Sequence, residues 1–201
     1  MDSGHNKDSA RKNIITKYHV KGNAKILITI GRIDPVGKNL IKLVEAVDII
    51  RKTDTDFHLF LIGESNFPNS HLVPEEISKR HLTEFITLTG YIEIDELNLF
   101  YNAADALVFP SIYEGFGLPL LESMKCELPV ICSDIEVFHE VAGNAAVYFK
   151  PQDTIDMTDK ITLVLHNDIE RSRLIENGKQ RLAMFTWEKA ANQLLDIIRT
   201  I

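Results

Sequence analysis

Residues 109–122 read FPSIYEGFGLPLLE, and this stretch decides the fold. The apolar run that leads into it, residues 106–109, has the length and the β-branched or aromatic character of a short buried strand. Prolines and glycines then interrupt regular structure, and residues 120–125 predict a helix with Pro119 in its first turn, where the missing N–H is tolerated. A strand therefore leads through a glycine-containing loop into a helix.

This loop has the features of an anion-binding site. A helix N-terminus presents unpaired N–H groups and partial positive charge, and glycines let a ligand approach the backbone. Glu114 and Glu122 bracket the loop, and carboxylates accept hydrogen bonds from sugar or ribose hydroxyls. The same pair could be the two carboxylates of a glycosidase. Alternatively, Glu122 is a helix-dipole partner and Glu114 a solvated side chain.

The composition indicates a soluble protein of a reducing compartment. The chain has 201 residues, of which 45% are hydrophobic and 25% charged, and its net charge of -7 argues against a nucleic-acid partner. Two cysteines, Cys126 and Cys132, do not suggest a disulfide scaffold, and we expect both to be small core residues. The sequence shows neither a secretory signal nor an apolar stretch near the ~20 residues that span a bilayer. We therefore expect a cytoplasmic protein.

Strands alternate with helices along most of the chain. Apolar runs predict strands at residues 25–30, 57–62, 85–88, 106–109, 130–132 and 145–149. Helices are predicted at residues 14–20, 40–52, 74–80, 96–104, 120–125, 136–141, 154–166, 168–184 and 187–198, the last with Trp187 as its packing anchor. This order predicts the α/β class, with a Rossmann-like, doubly wound parallel sheet of about six strands and helices on both faces. Residues 1–24 would form a polar arm with a short helix, and residues 25–201 the ligand-binding domain.

Ligands bind such sheets at the carboxyl ends of the strands. Arg32 and Lys38 lie in the loop after the first strand, and together they suit a diphosphate, although both could be solvated loop cations. Residues 54–56 read Asp-Thr-Asp, a pattern that binds metal in some sugar transferases, but they precede a strand, so we interpret them as a turn. The histidines are scattered without zinc-ligand spacing, and we predict no metal site.

Several motifs together resemble the carboxyl-terminal half of retaining glycosyltransferases of group 1 (family 4). The motifs are Gly31-Arg32 with Lys38-Asn39, Leu88-Thr89-Gly90-Tyr91, Phe109-Pro110-Ser111, Glu114-Gly115-Phe116-Gly117-Leu118-Pro119 with Glu122, Pro129-Val130-Ile131, Glu140-Val141-Ala142-Gly143-Asn144-Ala145-Ala146, and Phe185-Thr186-Trp187. The resemblance implies one half of a GT-B fold, in which two Rossmann-like domains enclose the reaction cleft. The carboxyl-terminal domain of that family binds the nucleotide diphosphate sugar.

The resemblance also implies a role for each motif residue. Arg32 and Lys38 would hold the donor diphosphate and stabilise the leaving nucleotide, and Glu114 would contact hydroxyls of the transferred sugar. The remaining donor contacts would come from Glu122 at the ribose, Ser111 at the pocket wall, the backbone of Gly115, Phe116, Gly117 and Leu118, and Tyr91 and Ile92 at the base. This class works without a divalent metal, because cations stabilise the leaving group, so we expect no cofactor.

The sequence departs from the family in two ways. It lacks the amino-terminal acceptor domain, so it would be an excised domain, a truncated product or a subunit that borrows this domain in trans. The family also usually places glycine where Glu127 stands, and a positive φ there would carry strain.

As a transferase, the protein would move a hexosyl unit such as a mannosyl unit from a UDP- or GDP-sugar to a saccharide or lipid-linked acceptor. It would act in polysaccharide biosynthesis, in the cytoplasm or peripheral to the inner face of the membrane. The alternative is a catalytically silent nucleotide-sugar binding module that acts with a partner chain. A GT-B epimerase or phosphorylase lacks this pair of glutamates.

Overall fold

The computed structural model describes residues 6–200, which contain one six-stranded sheet. The strands are β1 Lys25–Ile30, β2 Phe57–Ile62, β3 Ile86–Gly90, β4 Ala106–Phe109, β5 Val130–Ser133 and β6 Ala146–Phe149. The helices are α1 Lys7–Tyr18, α2 Leu40–Ile50, α3 Leu72–Lys79, α4 Ile94–Ala103, α5 Leu118–Lys125, α6 Glu136–Ala142, α7 Thr154–His166, α8 Asp168–Leu182 and α9 Trp187–Thr200.

The strand order is β3-β2-β1-β4-β5-β6, and every neighbouring pair is parallel. This is a doubly wound Rossmann-like sheet whose direction of winding reverses between β1 and β4. The predicted α/β class, with a doubly wound parallel sheet of six strands, is therefore confirmed. The reversal creates a crevice between the loops that follow β1 and β4.

Helices cover both faces of the sheet because its strands are apolar on both sides. All six residues of β2 are buried, and the pleat sends alternate side chains to opposite faces. Leu59 and Leu61 join one core cluster with α2, α3 and α7, whereas Phe60 and Ile62 join the other with α1, α4, α5 and α6. The sheet thus forms a rigid platform for its loops.

Helix α1 is longer at its N-terminus than predicted. It begins at Lys7 rather than at residue 14, and the Asn6 side chain caps it by accepting a hydrogen bond from the Asp8 N–H. The guanidinium of Arg11 pairs with Asp105 at 2.9 Å, immediately before β4. This contact across the fold stabilises a helical turn that has little apolar sequence pattern. Residues 1–5 of the predicted arm lie outside the described residues, and the domain boundary after residue 24 stays a prediction.

Helix α9 corrects a second expectation. Trp187 is 88% exposed, and none of the residues described in α9 is buried. The prediction that Trp187 anchors the last helix by packing is therefore wrong within this chain. The apolar stripe of α9 follows helical spacing but faces solvent.

Candidate active site

Two loops from opposite sides of the β1–β4 reversal meet at the carboxyl edge of the sheet. The Ile112 N–H, in the β4–α5 loop, donates to the Gly37 carbonyl in the β1–α2 loop at 3.0 Å. Beneath them, the buried Thr29 hydroxyl donates to the Val108 carbonyl at 2.7 Å, which joins the ends of the two strands. The loops therefore form a connected wall of the crevice.

Lys38 and Glu114 form an ion pair across these loops, although they are separated by 76 residues in the sequence. Both side chains are only 17% exposed. The Lys38 ammonium also lies 5.2 Å from the centroid of the Phe109 ring. The structure thus brings together two of the predicted site residues, one cationic and one anionic, in a partly desolvated position.

The backbone around Lys38 is organised by its neighbours. One Asp34 carboxylate oxygen accepts a hydrogen bond from the Gly37 N–H at 2.9 Å and closes the turn before Lys38. Asn39 follows with φ of 53° and donates its side-chain amide to the Pro151 carbonyl at 2.7 Å. Asp34 is a support residue that the sequence patterns did not single out, whereas Asn39 entered only as a member of the Lys38-Asn39 motif. Their signal was the turn-forming character of Asp and Asn beside proline and glycine.

Arg32 lies elsewhere on the same edge. Its guanidinium carbon is 4.4 Å from the centroid of the Phe67 ring, which belongs to the β2–α3 loop. The structure places Lys38 against Glu114 and Arg32 against Phe67, so the two predicted diphosphate ligands have different local partners. The sequence analysis did not single out Phe67.

Glu122 is held from beneath by a buried tyrosine. The Tyr101 hydroxyl donates to a Glu122 carboxylate oxygen at 2.5 Å. Burial, and then the neighbouring Glu122 charge, raise the pKa of Tyr101 well above its usual value, so the phenol stays a proton donor. Tyr101 escaped sequence analysis because it lies on α4, far along the chain, within an ordinary helical pattern.

The glycine-containing loop ends at the exposed N-terminus of α5. Gly117 precedes the helix with φ of 94° and provides no side-chain cap, so the Leu118 N–H remains available to a ligand. Pro119 has no N–H, and the Leu120 N–H donates to the Gly117 carbonyl at 3.0 Å. Phe116 is 41% exposed and Leu118 55% exposed. A side chain on Gly117 would meet the Phe138 ring at 3.0 Å, whereas Gly115 has open space around it. The backbone anion site at this loop stays a prediction.

The remaining predicted donor contacts, Ser111, Tyr91 and Ile92, lie at the same edge of the sheet but differ in how exposed they are. Ser111 is fully buried, and within residues 6–200 its hydroxyl has no hydrogen-bond partner. Tyr91 is 65% exposed and Ile92 partly buried, both after β3, the outermost strand on that side. Strand β2 therefore lies between β3, which Tyr91 and Ile92 follow, and β1, whose loop carries Lys38.

An open groove of about 400 Å³ lies on the outer side of α5. Its lining is mainly apolar and consists of Phe116, Leu118, Leu121, Glu122, Lys125, Leu182, Phe185, Thr186, Trp187 and Ala190. Three of these residues also belong to the predicted donor site. A diphosphate needs polar partners, and these lie at the cationic edge beside the groove rather than in its apolar lining.

Glu127 takes the conformation for which glycine is the usual residue. Its φ is 54°, and its carboxylate forms an exposed ion pair with Lys179 at 3.1 Å. The expected strain at this turn is therefore present, and it lies behind α5 rather than in the crevice.

The two cysteines and Asp54 lie in surroundings that indicate structural roles. Cys126 and Cys132 are buried free thiols whose pKa is raised by burial, as expected for core residues. Asp54 lies in the connection before β2 and pairs with His166 at 2.9 Å.

Over residues 6–200, no group of three or more His, Cys, Asp and Glu side chains could hold a metal ion. No helix in this range is long and apolar enough to cross a membrane.

Comparison with known proteins identifies the family. The chain belongs to the glycosyl transferases of group 1, because the model of that family matches residues 10–181. O-antigen chain mannosyltransferase B of Escherichia coli is 30% identical over 190 residues, which are 94% of this chain and 49% of that protein.

Solved structures agree with this assignment. Sucrose-phosphate synthase of Thermosynechococcus elongatus matches with a TM-score of 0.80 and 27% identity over 94% of this chain and 48% of that one. The C-terminal domain of a group 1 glycosyl transferase from Francisella tularensis matches with a TM-score of 0.77 and 21% identity, over 92% of this chain and 97% of the domain. The chain thus spans about half the length of the E. coli relative and of the synthase.

Proposed function

We propose that this chain is the donor-binding half of a retaining glycosyltransferase that uses a UDP- or GDP-sugar. The observation that carries the proposal is the contact between Lys38 and Glu114 at the β1–β4 reversal. The contact supports the proposal because a cation suited to phosphate lies next to a carboxylate suited to sugar hydroxyls, the two groups that the junction between a diphosphate and its sugar presents. The name of the E. coli relative supports a mannosyl unit and a polysaccharide product.

The chemistry of transfer would rest on fixed positive charge. When the bond between the sugar and the diphosphate breaks, negative charge develops on the leaving phosphate oxygens. Lys38 and Arg32 would stabilise that charge, assisted by the Leu118 N–H at the start of α5. Glu114 would orient the sugar, and Glu122, fixed by Tyr101, would accept from the ribose hydroxyls. Ser111, Tyr91 and Ile92 would complete the donor pocket. We expect no cofactor.

A second domain would supply the opposite wall of the cleft. The chain spans 49% of its E. coli relative, and α9 exposes an apolar stripe that includes Trp187, Leu194 and Ile198. Both observations support an acceptor-binding domain, joined in cis or in trans, that would recognise a saccharide or lipid-linked acceptor. Such an enzyme would work in the cytoplasm, with its acceptor at the inner face of the membrane.

The alternative function is a silent nucleotide-sugar binding module that acts through a partner chain. The exposed apolar stripe of α9 suits contact with such a partner chain. Incubating the chain with radiolabelled donor separates the two functions. Donor hydrolysis or transfer, alone or after addition of an acceptor domain, supports the enzyme, whereas tight binding without turnover in both cases supports the module.

Isothermal titration calorimetry with UDP and GDP tests the site. Glu122→Ala and Arg32→Ala should each weaken nucleoside diphosphate binding, because they remove a ribose acceptor and a diphosphate ligand. Glu188→Ala and Arg199→Ala on α9 are matched controls with the same changes in charge, and they should leave binding unchanged. Unchanged affinity in both site variants would refute the assignment.

A further inference from the structure

We propose that Phe67 is a positioning residue that holds the Arg32 guanidinium in place for the donor diphosphate. The inference rests on the proposed function and adds a residue that the family motifs do not include. The guanidinium carbon of Arg32 lies 4.4 Å from the centroid of the Phe67 ring, within the range of a cation–π contact. Among the described residues, the Arg32 guanidinium forms no hydrogen bond or ion pair, so the ring is its main support.

The main chain on both sides of Arg32 is tied to the loop that carries Phe67. The Gly31 N–H donates to the Ile62 carbonyl at 2.9 Å, and the Ile33 N–H donates to the Glu64 carbonyl at 2.9 Å. These hydrogen bonds flank Arg32 directly. The start of the β1–α2 loop and the start of the β2–α3 loop are therefore joined by main-chain hydrogen bonds.

The β2–α3 loop is itself held by its own contacts. Gly63 packs so closely on Gly31 that a Cβ on Gly63 would lie 1.9 Å from the Gly31 carbonyl oxygen. Further along, the Ser70 N–H donates to the Phe67 carbonyl at 3.1 Å, and the buried Ser70 hydroxyl contacts the Ser65 carbonyl. The ring of Phe67 is thus presented from an organised loop.

This arrangement suits phosphate recognition. A guanidinium is planar, and an aromatic ring against its face leaves the N–H groups at its edge free to donate to two oxygens of a phosphate. Lys38 is already paired with Glu114, whereas Arg32 has an aromatic partner that leaves its charge uncompensated. Arg32 would therefore offer more attraction to an incoming diphosphate, provided that Phe67 keeps it in position.

Calorimetric titration of UDP and GDP into the chain tests the role of Phe67 through a double-mutant cycle. Phe67→Leu keeps an apolar side chain but removes the ring, and should weaken nucleoside diphosphate binding about two- to five-fold. Phe67→Tyr should restore binding because it keeps the ring face. In the Arg32→Ala background, Phe67→Leu should have no further effect, since the cation is already gone.

Two further measurements separate positioning from a merely structural effect. The Arg32 side-chain Nε–H resonance should shift when Phe67→Leu removes the ring current, and the shift should revert in Phe67→Tyr. Binding of UMP or GMP, which lack the second phosphate, should fall less than binding of the diphosphates.

The outcomes are distinguishable. If the wild-type chain binds diphosphates and Phe67→Leu binds them equally well, the role of Phe67 is wrong while the proposed function stands. A loss that persists in the Arg32→Ala background, or that Phe67→Tyr does not rescue, also overturns the positioning role. If the wild-type chain binds neither UDP nor GDP, the proposed function fails and the role of Phe67 fails with it.

Discussion

Neutralising Glu114 should strengthen the binding of a nucleoside diphosphate, although Glu114 belongs to the candidate donor site. In the structure without donor, Glu114 forms an ion pair with Lys38, and both side chains are 17% exposed. A diphosphate must compete with this carboxylate for the lysine and must approach its negative charge. Glu114→Gln keeps the size of the side chain but removes that charge.

The expected gain follows from the partial burial of the pair. Two unit charges about 4 Å apart interact by about 4 kcal/mol at an effective dielectric constant of ~20. Solvent screening and restricted side-chain motion reduce the net value of most such pairs to about 1 kcal/mol or less. A gain of about 1 kcal/mol corresponds to a roughly five-fold lower Kd for UDP or GDP.

Calorimetry at low and high salt measures this effect. The gain should shrink as ionic strength rises, because salt screens the partly exposed charges. Lys38→Ala should weaken binding, and Glu122→Gln, whose carboxylate pairs with Tyr101 instead of a cation, should show no gain. Glu114→Gln should increase the affinity for the full nucleotide sugar less than the affinity for the free diphosphate, because the variant's amide replaces the carboxylate that would accept from the sugar hydroxyls. Equal or weaker diphosphate binding by Glu114→Gln would refute the electrostatic reasoning.

Two predictions concern stability. Burial lowers the pKa of His58 from 6.5 to about 4, so the unfolded chain binds more protons in that range, and stability should fall by about 3 kcal/mol as the pH drops from about 6.5 to 4. Urea unfolding against pH measures this loss, and His58→Gln should flatten it; an equally steep fall in the variant would exclude His58 as the cause. Glu127→Gly should relieve the positive φ and raise stability by about 0.5–1 kcal/mol despite the lost Lys179 contact. Thermal unfolding tests this, with Glu127→Ala as the control that should bring no gain.

Local sequence signals predicted the sheet well. The bounds of β1, β2 and β4 agree with prediction because each is a continuous apolar run between turn-forming residues. Both faces of these strands are buried, so every position contributes to the signal. Helix α1 was predicted too short because the contact that stabilises its first turns, between Arg11 and Asp105, crosses the fold and leaves no periodic pattern.

The candidate site was predictable only as a set of loops. Arg32, Lys38 and Glu114 could be assigned to carboxyl ends of strands, and parallel strands present those ends at one edge. Their partners were not predictable, because a side-chain contact depends on which strands are neighbours and how each loop turns. Phe67 and Tyr101 carried no signal beyond ordinary apolar or helical positions.

The sequence by itself determined the α/β class, the position of the loops at the carboxyl edge and the resemblance to group 1 glycosyltransferases, since apolar runs, turn residues and motifs are local properties. The tertiary structure decided which cations at the carboxyl edge are paired with an anion. The order β2-β1-β4 brings Lys38 to Glu114 and Arg32 to Phe67. The charge of Lys38 is therefore compensated by a carboxylate, whereas Arg32 contacts an aromatic ring and its charge stays uncompensated. That difference arises from strand adjacency and loop packing, which residues distant in the chain determine together.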